Sequence, residues 1–158
     1  MSCLPLVCLR LCSCSAPLLF LVDSGASVNL LSDKCISPGT RLTRNNQSVA
    51  TLSGSLVPIK GVLRDQVFSD QGRATIGNTF FLVSSQPMKG FDGILGTPFL
   101  EDVKASIDFD SHSFRTKLHA IPFVRTVTKD PMLGCHHVSI GRLENSEEPP
   151  KDEEKIPL

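Results

Sequence analysis

The stretch that most constrains this chain is Phe20-Leu21-Val22-Asp23-Ser24-Gly25-Ala26. Leu18 to Val22 is an unbroken apolar run, the pattern of a buried strand. It ends in a carboxylate. An acid at the end of a buried strand is costly unless something satisfies it, so its surroundings must be built to hold it. Ser24 places a hydroxyl beside it, and Gly25 allows a tight turn and a close backbone approach. The chain then becomes apolar again at Val28, Leu30 and Leu31. The expected local structure is strand, Asp-Ser-Gly loop, strand.

A second signature lies downstream. Gly93-Ile94-Leu95-Gly96 is followed by Thr97-Pro98-Phe99-Leu100, and then by Ala105-Ser106-Ile107-Asp108-Phe109. Thr97 can cap a short helix with Pro98 at its first position, and Phe99, Leu100 and Val103 fall on one face of it. Alternating apolar residues in 105–109 predict a half-buried strand.

Taken together, Leu21 to Leu31 and Gly93 to Phe109 resemble the catalytic loop, the Ile-Leu-Gly turn and the closing strand of retroviral-type aspartic proteases (retropepsins). The resemblance is strongest to those of Gypsy-like LTR retrotransposons. It covers Leu18 to about Phe114, and the spacing of Asp23 and Gly93 suits one retropepsin subunit. The fold it implies is all-β: a closed barrel, one half of an acid protease, with a flap hairpin and one short C-terminal helix. The chain between the two signatures fits that order. Val49-Ala50-Thr51-Leu52 and Leu56-Val57-Pro58-Ile59 flank Ser53-Gly54-Ser55, a hairpin pattern that stands where the family carries its flap. Pro58 suits an edge position. Gly61 to Val67 and Thr79 to Val83 predict two strands around the turn Ser69-Asp70-Gln71-Gly72, with Phe80-Phe81-Leu82-Val83 buried on both faces. Ser113 to Ile121 adds a further strand.

What the resemblance implies about function is specific. Asp23 is the catalytic acid, with Ser24, Gly25 and Ala26 as its supporting loop. Ser24 would bond the opposite loop across a dimer, and Ala26 and Ser27 would line the cleft. Ser53, Gly54 and Ser55 form the flap tip. Ile94, Leu95 and Gly96 form the structural turn behind the site. Peptide hydrolysis of this kind needs two carboxylates sharing one proton, and the chain holds a single Asp-Ser-Gly. The implied enzyme is therefore a homodimeric aspartic endopeptidase, one Asp per subunit, cutting a Gag-Pol-like polyprotein. It needs no metal or cofactor. The chain departs from many viral members at Ser27 and Thr97, where they pair an Asp with an Arg. It also lacks any Tyr for the flap tyrosine of two-lobed pepsin-like enzymes. The alternative function is an inactive retropepsin-like remnant serving as a dimerisation or binding module.

Composition bounds the remainder. A length of 158 residues suits one domain. Sixteen basic residues against sixteen acidic ones, with no Trp or Tyr, argue against a nucleic-acid surface. Four of the six cysteines lie within residues 1–14, which does not resemble a disulfide framework; the expected compartment is the reducing cytoplasm. Zinc ligation by Cys12, Cys14, Cys135, His136 and His137 lacks the required spacing. A nucleophilic pair from Cys135 with His136 or His137 has only adjacency to support it. Asp92, Asp108 and Asp110 read as solvated carboxylates.

Residues 1–16 stay open. They could be a signal peptide, although Arg10 splits the apolar run and no basic residue precedes it. A membrane helix is interrupted by Pro5, Arg10 and Pro17. A dimer-interface strand of the retropepsin kind would alternate with polar residues. An ill-defined start of a reading frame is the preferred reading. The expected division is an uncertain segment at 1–16, the protease-like domain at 17–123, and a disordered tail or polyprotein linker at 124–158. Both end segments are expected to pack poorly, and Glu144 to Lys155 is acidic and interrupted by Pro149-Pro150.

Overall fold

The structure, a computed structural model, describes residues 4–70, 74–130 and 135–142. The strands in chain order are β1 (Leu6–Leu11), β2 (Leu18–Val22), β3 (Leu30–Ser32), β4 (Val49–Ala50), β5 (Leu56–Val57), β6 (Ile59–Ser69) and β7 (Thr75–Ser84). After β8 (Gly93–Leu95) comes the only helix longer than a single turn among the described residues, α1 (Thr97–Asp102). The chain then runs through β9 (Ser106–Asp108), β10 (Ser113–Arg115), β11 (Ala120–Pro122), β12 (Val124–Asp130) and β13 (Cys135–Arg142).

The main sheet has the order β13-β12-β1-β2-β8-β3-β7-β6, and an additional β1–β6 pairing closes its last six strands into a barrel. Antiparallel β1 and β2 align Leu6 with Leu21 and Leu9 with Leu18. Strand β8 runs parallel to β2, with Phe20 opposite Gly93 and Val22 opposite Leu95. On its other side β8 is antiparallel to β3. Strands β4 and β5 form a separate hairpin, and β9, β10 and β11 a small third sheet.

Apolar runs become two-sided strands here. In β1 and β2, Val7, Leu9, Leu11, Leu18, Phe20 and Val22 enter one core cluster. Leu6, Cys8, Leu19 and Leu21, the alternate residues, enter the other. Both faces are covered, so neither strand needs polar residues. Phe20 packs tilted against Phe81 at 5.7 Å between ring centroids, and Phe99 stacks on Phe114 at 6.2 Å. Each such side chain contributes about 1.5–3 kcal/mol by leaving water.

The structure corrects the reading of the N-terminal segment. Leu6–Leu11 does not pack poorly; it is a barrel strand paired with β2, β6 and β12. Polar alternation is missing because the strand is buried on both faces. Arg10, which interrupts the apolar run, sits 4.0 Å from Asp70. The strand pairings also cross the boundary expected at residue 123, since Val124 pairs with Leu6 and β12 pairs with β13. The tail at 143–158 and the side chains of Cys135, His136 and His137 lie outside the described residues. Phe80 is a further correction. It is 50% exposed, and the Arg64 guanidinium lies 4.1 Å over its ring. The cation covers the face that a buried neighbour was expected to cover. At α1 the N-cap is Gly96, with no side-chain cap bond, rather than Thr97. Among the described residues no helix is long and apolar enough to cross a membrane.

Burial pushes three thiols up from their ordinary value of 9.0: Cys8 to about 12, Cys14 to about 11 and Cys35 to about 12. Nearby carboxylates add to the effect, chiefly Asp70 for Cys8, Asp65 for Cys14 and Asp92 for Cys35.

Two outcomes follow from this packing. A chain lacking residues 1–11 should lose its cooperative unfolding transition by circular dichroism, because removing β1 opens the barrel and strips both clusters. For the thiols, a folded-state pKa above the unfolded one means that the stabilisation is complete below pH 9 and is lost as pH rises through the folded values. The denaturant midpoint should therefore fall between about pH 9 and pH 12. A midpoint that holds constant over that range would contradict the burial of these groups.

Candidate active site

Asp23 stands where β2 ends. Its backbone N–H donates to the Leu95 carbonyl at 3.0 Å, extending the parallel pairing with β8 by one residue. Its own carbonyl accepts the Ala26 N–H at 3.1 Å, which closes the turn. Its carboxylate Oδ1 accepts the Gly25 N–H at 2.9 Å. An Asp side chain that takes the amide two residues on forms an Asx turn, a compact way of fixing both loop and carboxylate. Asp23 is half-buried, while Ser24 and Gly25 are exposed.

The far side of the loop is also held. Ala26 is buried, at 1% exposure, within the cluster that contains Leu30 and Ile94. It is a packing residue in this subunit rather than part of an open cleft wall. Its carbonyl accepts the Thr97 N–H at 2.8 Å. The Leu95-Gly96-Thr97 backbone therefore grips the loop at both ends. Gly96 must be glycine: a Cβ there would lie 2.2 Å from the Val28 carbonyl oxygen and 2.7 Å from that of Ala26. Ile94 and Leu95 are buried on opposite faces of β8. The structure thus brings together Asp23, Ser24, Gly25, Ala26, Ile94, Leu95 and Gly96.

Ser53, Gly54 and Ser55 sit at the exposed tip of the β4–β5 hairpin, and their hydrogen bonds run within it. The Thr51 N–H donates to the Ser55 carbonyl at 2.8 Å, and the Gly54 N–H to that of Thr51 at 3.0 Å. Gly54 has φ +89, which suits glycine at a hairpin tip. The Thr51 and Ser53 hydroxyls lie 2.8 Å apart. Leu52 and Leu56 are solvent-exposed, whereas Val49 and Val57 root the hairpin in the cluster that holds Ala26 and Ile94.

Two polar residues carry more than the sequence suggests. Asp92 is not simply a solvated carboxylate. Its Oδ2 accepts the Leu19 N–H at 2.8 Å, its N–H donates to the Leu19 carbonyl at 2.7 Å, and its carbonyl accepts the Ser32 N–H at 2.9 Å. It ties β2 to β3 where β8 begins. Asn29, not singled out from the sequence, is 2% exposed. Its Nδ2 donates to Thr79 Oγ1 at 3.0 Å and to the Phe80 carbonyl at 2.9 Å, and its Oδ1 accepts the Gly96 N–H at 2.9 Å. The available signal was an amide directly preceding the apolar pair Leu30-Leu31. Asp108 remains local. Its Oδ1 accepts the Ser111 and Asp110 N–H groups, and bonds from Ser111 hold its carboxyl below the usual range. Among the described residues no group of three or more His, Cys, Asp or Glu is placed to hold a metal.

Replacing Gly96 by alanine should lower stability by about 2–4 kcal/mol, because the clashing atoms are backbone and cannot rotate away. Urea denaturation measures it, and a loss below about 0.5 kcal/mol would mean that the loop and β8 are not in such close contact.

Comparison with known proteins bears on the fold. No protein-family model matches the chain, and no curated protein sequence matches it. Among solved structures, the chain is similar to the retroviral protease-like domain of Ddi1 from Leishmania major, with a TM-score of 0.58 and 19% identity over 78% of this chain and 95% of that one. With its six-stranded closed barrel and the short helix after β8, the chain has the retropepsin-like fold.

Proposed function

We propose that the chain is an aspartic-type endopeptidase that acts as a homodimer, each subunit supplying one Asp23. The observation that carries this reading is the Asp23 loop. Its carboxylate is fixed by the Gly25 amide and its backbone is gripped by β8, yet its outer edge at Ser24 and Gly25 is exposed. A rigid acid on an open edge can meet a copy of itself across a two-fold axis. Two carboxylates at that distance cannot both ionise, so the pair shares one proton. Water held between them attacks the peptide carbonyl, one carboxylate taking the water's proton while the other hydrogen-bonds the carbonyl oxygen. In this reading Ser24 bonds the partner loop, Gly25 admits the substrate backbone, and the hairpin through Ser53, Gly54 and Ser55 closes over the substrate as the flap.

The proposed substrate is a polypeptide of the retrotransposon Gag-Pol kind. That source rests on the likeness of Leu21 to Leu31 and Gly93 to Leu100 to Gypsy-like proteases. Its test is the flanking reading frame, where a reverse transcriptase downstream is expected. The proposed compartment is the cytoplasm, with neither nucleic acid nor membrane as a partner of this domain. The other reading is an inactive remnant acting as a dimerisation or binding module; the intact Asp23-Ser24-Gly25 loop and its apolar framework favour the enzyme.

Asp23→Asn should reduce peptide cleavage at acidic pH by at least about 10³-fold while leaving the circular dichroism spectrum unchanged, since the amide keeps the fold but cannot act as the base. The wild-type rate should rise more steeply than the first power of protein concentration until dimer predominates. Both are read from initial rates on a peptide library, with oligomeric state followed by light scattering. Full activity in Asp23→Asn, or a strictly linear rate in a verified monomer, would overturn the shared-acid mechanism.

A further inference from the structure

A buried amide is tolerated only when its donors and acceptor are all used. Asn29 meets that condition by reaching three places that are distant in sequence. Its NH2 group spans Thr79 Oγ1 and the Phe80 carbonyl on β7, and its Oδ1 takes the Gly96 N–H. Its own carbonyl accepts the Leu82 N–H at 2.8 Å. Gly96 is the N-cap of α1 and has no side chain with which to satisfy the start of the helix. The side chain of Asn29, the residue before β3, accepts the Gly96 N–H and so satisfies the backbone donor at the helix start.

What Gly96 adjoins gives this bond its meaning. The residue before it, Leu95, accepts the Asp23 N–H, and the residue after it, Thr97, donates to the Ala26 carbonyl. The three contacts form one ladder between the loop and the β8–α1 corner. Asn29 supplies the middle rung, and it is the rung that also reaches β7. We propose that Asn29 is a positioning residue for Asp23. By fixing the Gly96 peptide against β7 it sets where Leu95 and Thr97 present their groups, and so where the Asp23 carboxylate stands. The inference rests on the protease reading for its catalytic consequence and on the hydrogen-bond geometry alone for its structural one.

The test separates those two parts. The full chain, labelled with 15N, is compared as wild type, Asn29→Ala, Asn29→Asp and Val67→Ala. Val67 is buried on β6 opposite Gly77, so its truncation lowers stability without removing any of the three hydrogen bonds of the ladder. In Asn29→Ala the amide resonances of Asp23, Ala26, Gly96 and Thr97 should move, and these amides should exchange at least about tenfold faster relative to the β6–β7 ladder. The kcat for peptide cleavage should fall about 10²-fold with KM within about threefold, as expected for a misplaced reacting group. Asn29→Asp keeps an acceptor for Gly96. When protonated it also keeps a donor, so at acidic pH it should restore the four resonances and most of kcat. Val67→Ala should leave the four resonances in place. If Asn29→Ala does not fold, Asn29→Ser, too short to span the same partners, is judged by the same criteria. The proposal is overturned if the four amides stay put in the folded variant, if Val67→Ala moves them equally, or if Asn29→Asp fails to restore them. Should the wild type cleave nothing, the protease reading fails, and the amide pattern still decides whether Asn29 sets the loop.

Discussion

Strand β8 can exist only because the glycine that opens it and the glycine that follows it lack a Cβ. At Gly93 that atom would stand 2.5 Å from the Leu30 carbonyl oxygen and 2.6 Å from the Phe20 ring. At Gly96 it would collide with two further carbonyl oxygens. Between these points, Gly93-Ile94-Leu95 threads the gap between β2 and β3, parallel to one and antiparallel to the other. Removing this strand would leave β2 and β3 without a common neighbour and interrupt the ring of six strands. It would also free the Asp23 loop, which hangs from the backbone of Leu95 and Thr97. Barrel closure and the placement of the acid thus share one steric condition.

That condition was legible in the sequence because it is local in character. Glycines bracketing a short apolar run, and an Asp-Ser-Gly following another, need no knowledge of partners to be noticed. The hairpin at Ser53-Gly54-Ser55 and the short helix after Gly96 were legible for the same reason. What stayed hidden depends on contacts far along the chain. Strand β1 looks featureless because its alternation is between two apolar clusters. Phe80 looks buried because nothing local says that Arg64 will lie across it. Asp92 looks like a turn acid, yet its partners are Leu19 and Ser32. Asn29 is the extreme case: all three of its side-chain bonds reach fifty or more residues away.

The acids divide by how their oxygens are used. Asp65, 6% exposed, has both oxygens engaged by backbone amides: Ser13 on Oδ2 and Gln66 on Oδ1, each at 2.8 Å. Asp92 uses Oδ2 on Leu19. In both, the carboxylate fastens one segment to another and serves the fold within a single subunit. Such acids are satisfied by what the chain itself provides, which is why they can lie near the core.

Asp23 differs in kind. Its backbone is as firmly held as that of any core residue, whereas its carboxylate receives one amide, from its own turn, on one oxygen. Among the described residues the second oxygen accepts no hydrogen bond. A structural acid is used differently: Asp65 has both oxygens taken by backbone amides, and the amide on Asp92 comes from a distant strand, not from its own turn. The arrangement at Asp23 suits an acid whose remaining capacity is reserved for something outside the subunit. In the proposed enzyme that capacity goes to a shared proton and an attacking water. The rigidity beneath it then has a purpose. A carboxylate that must face its own copy at hydrogen-bond distance gains from every contact that removes freedom from its loop before the two subunits meet.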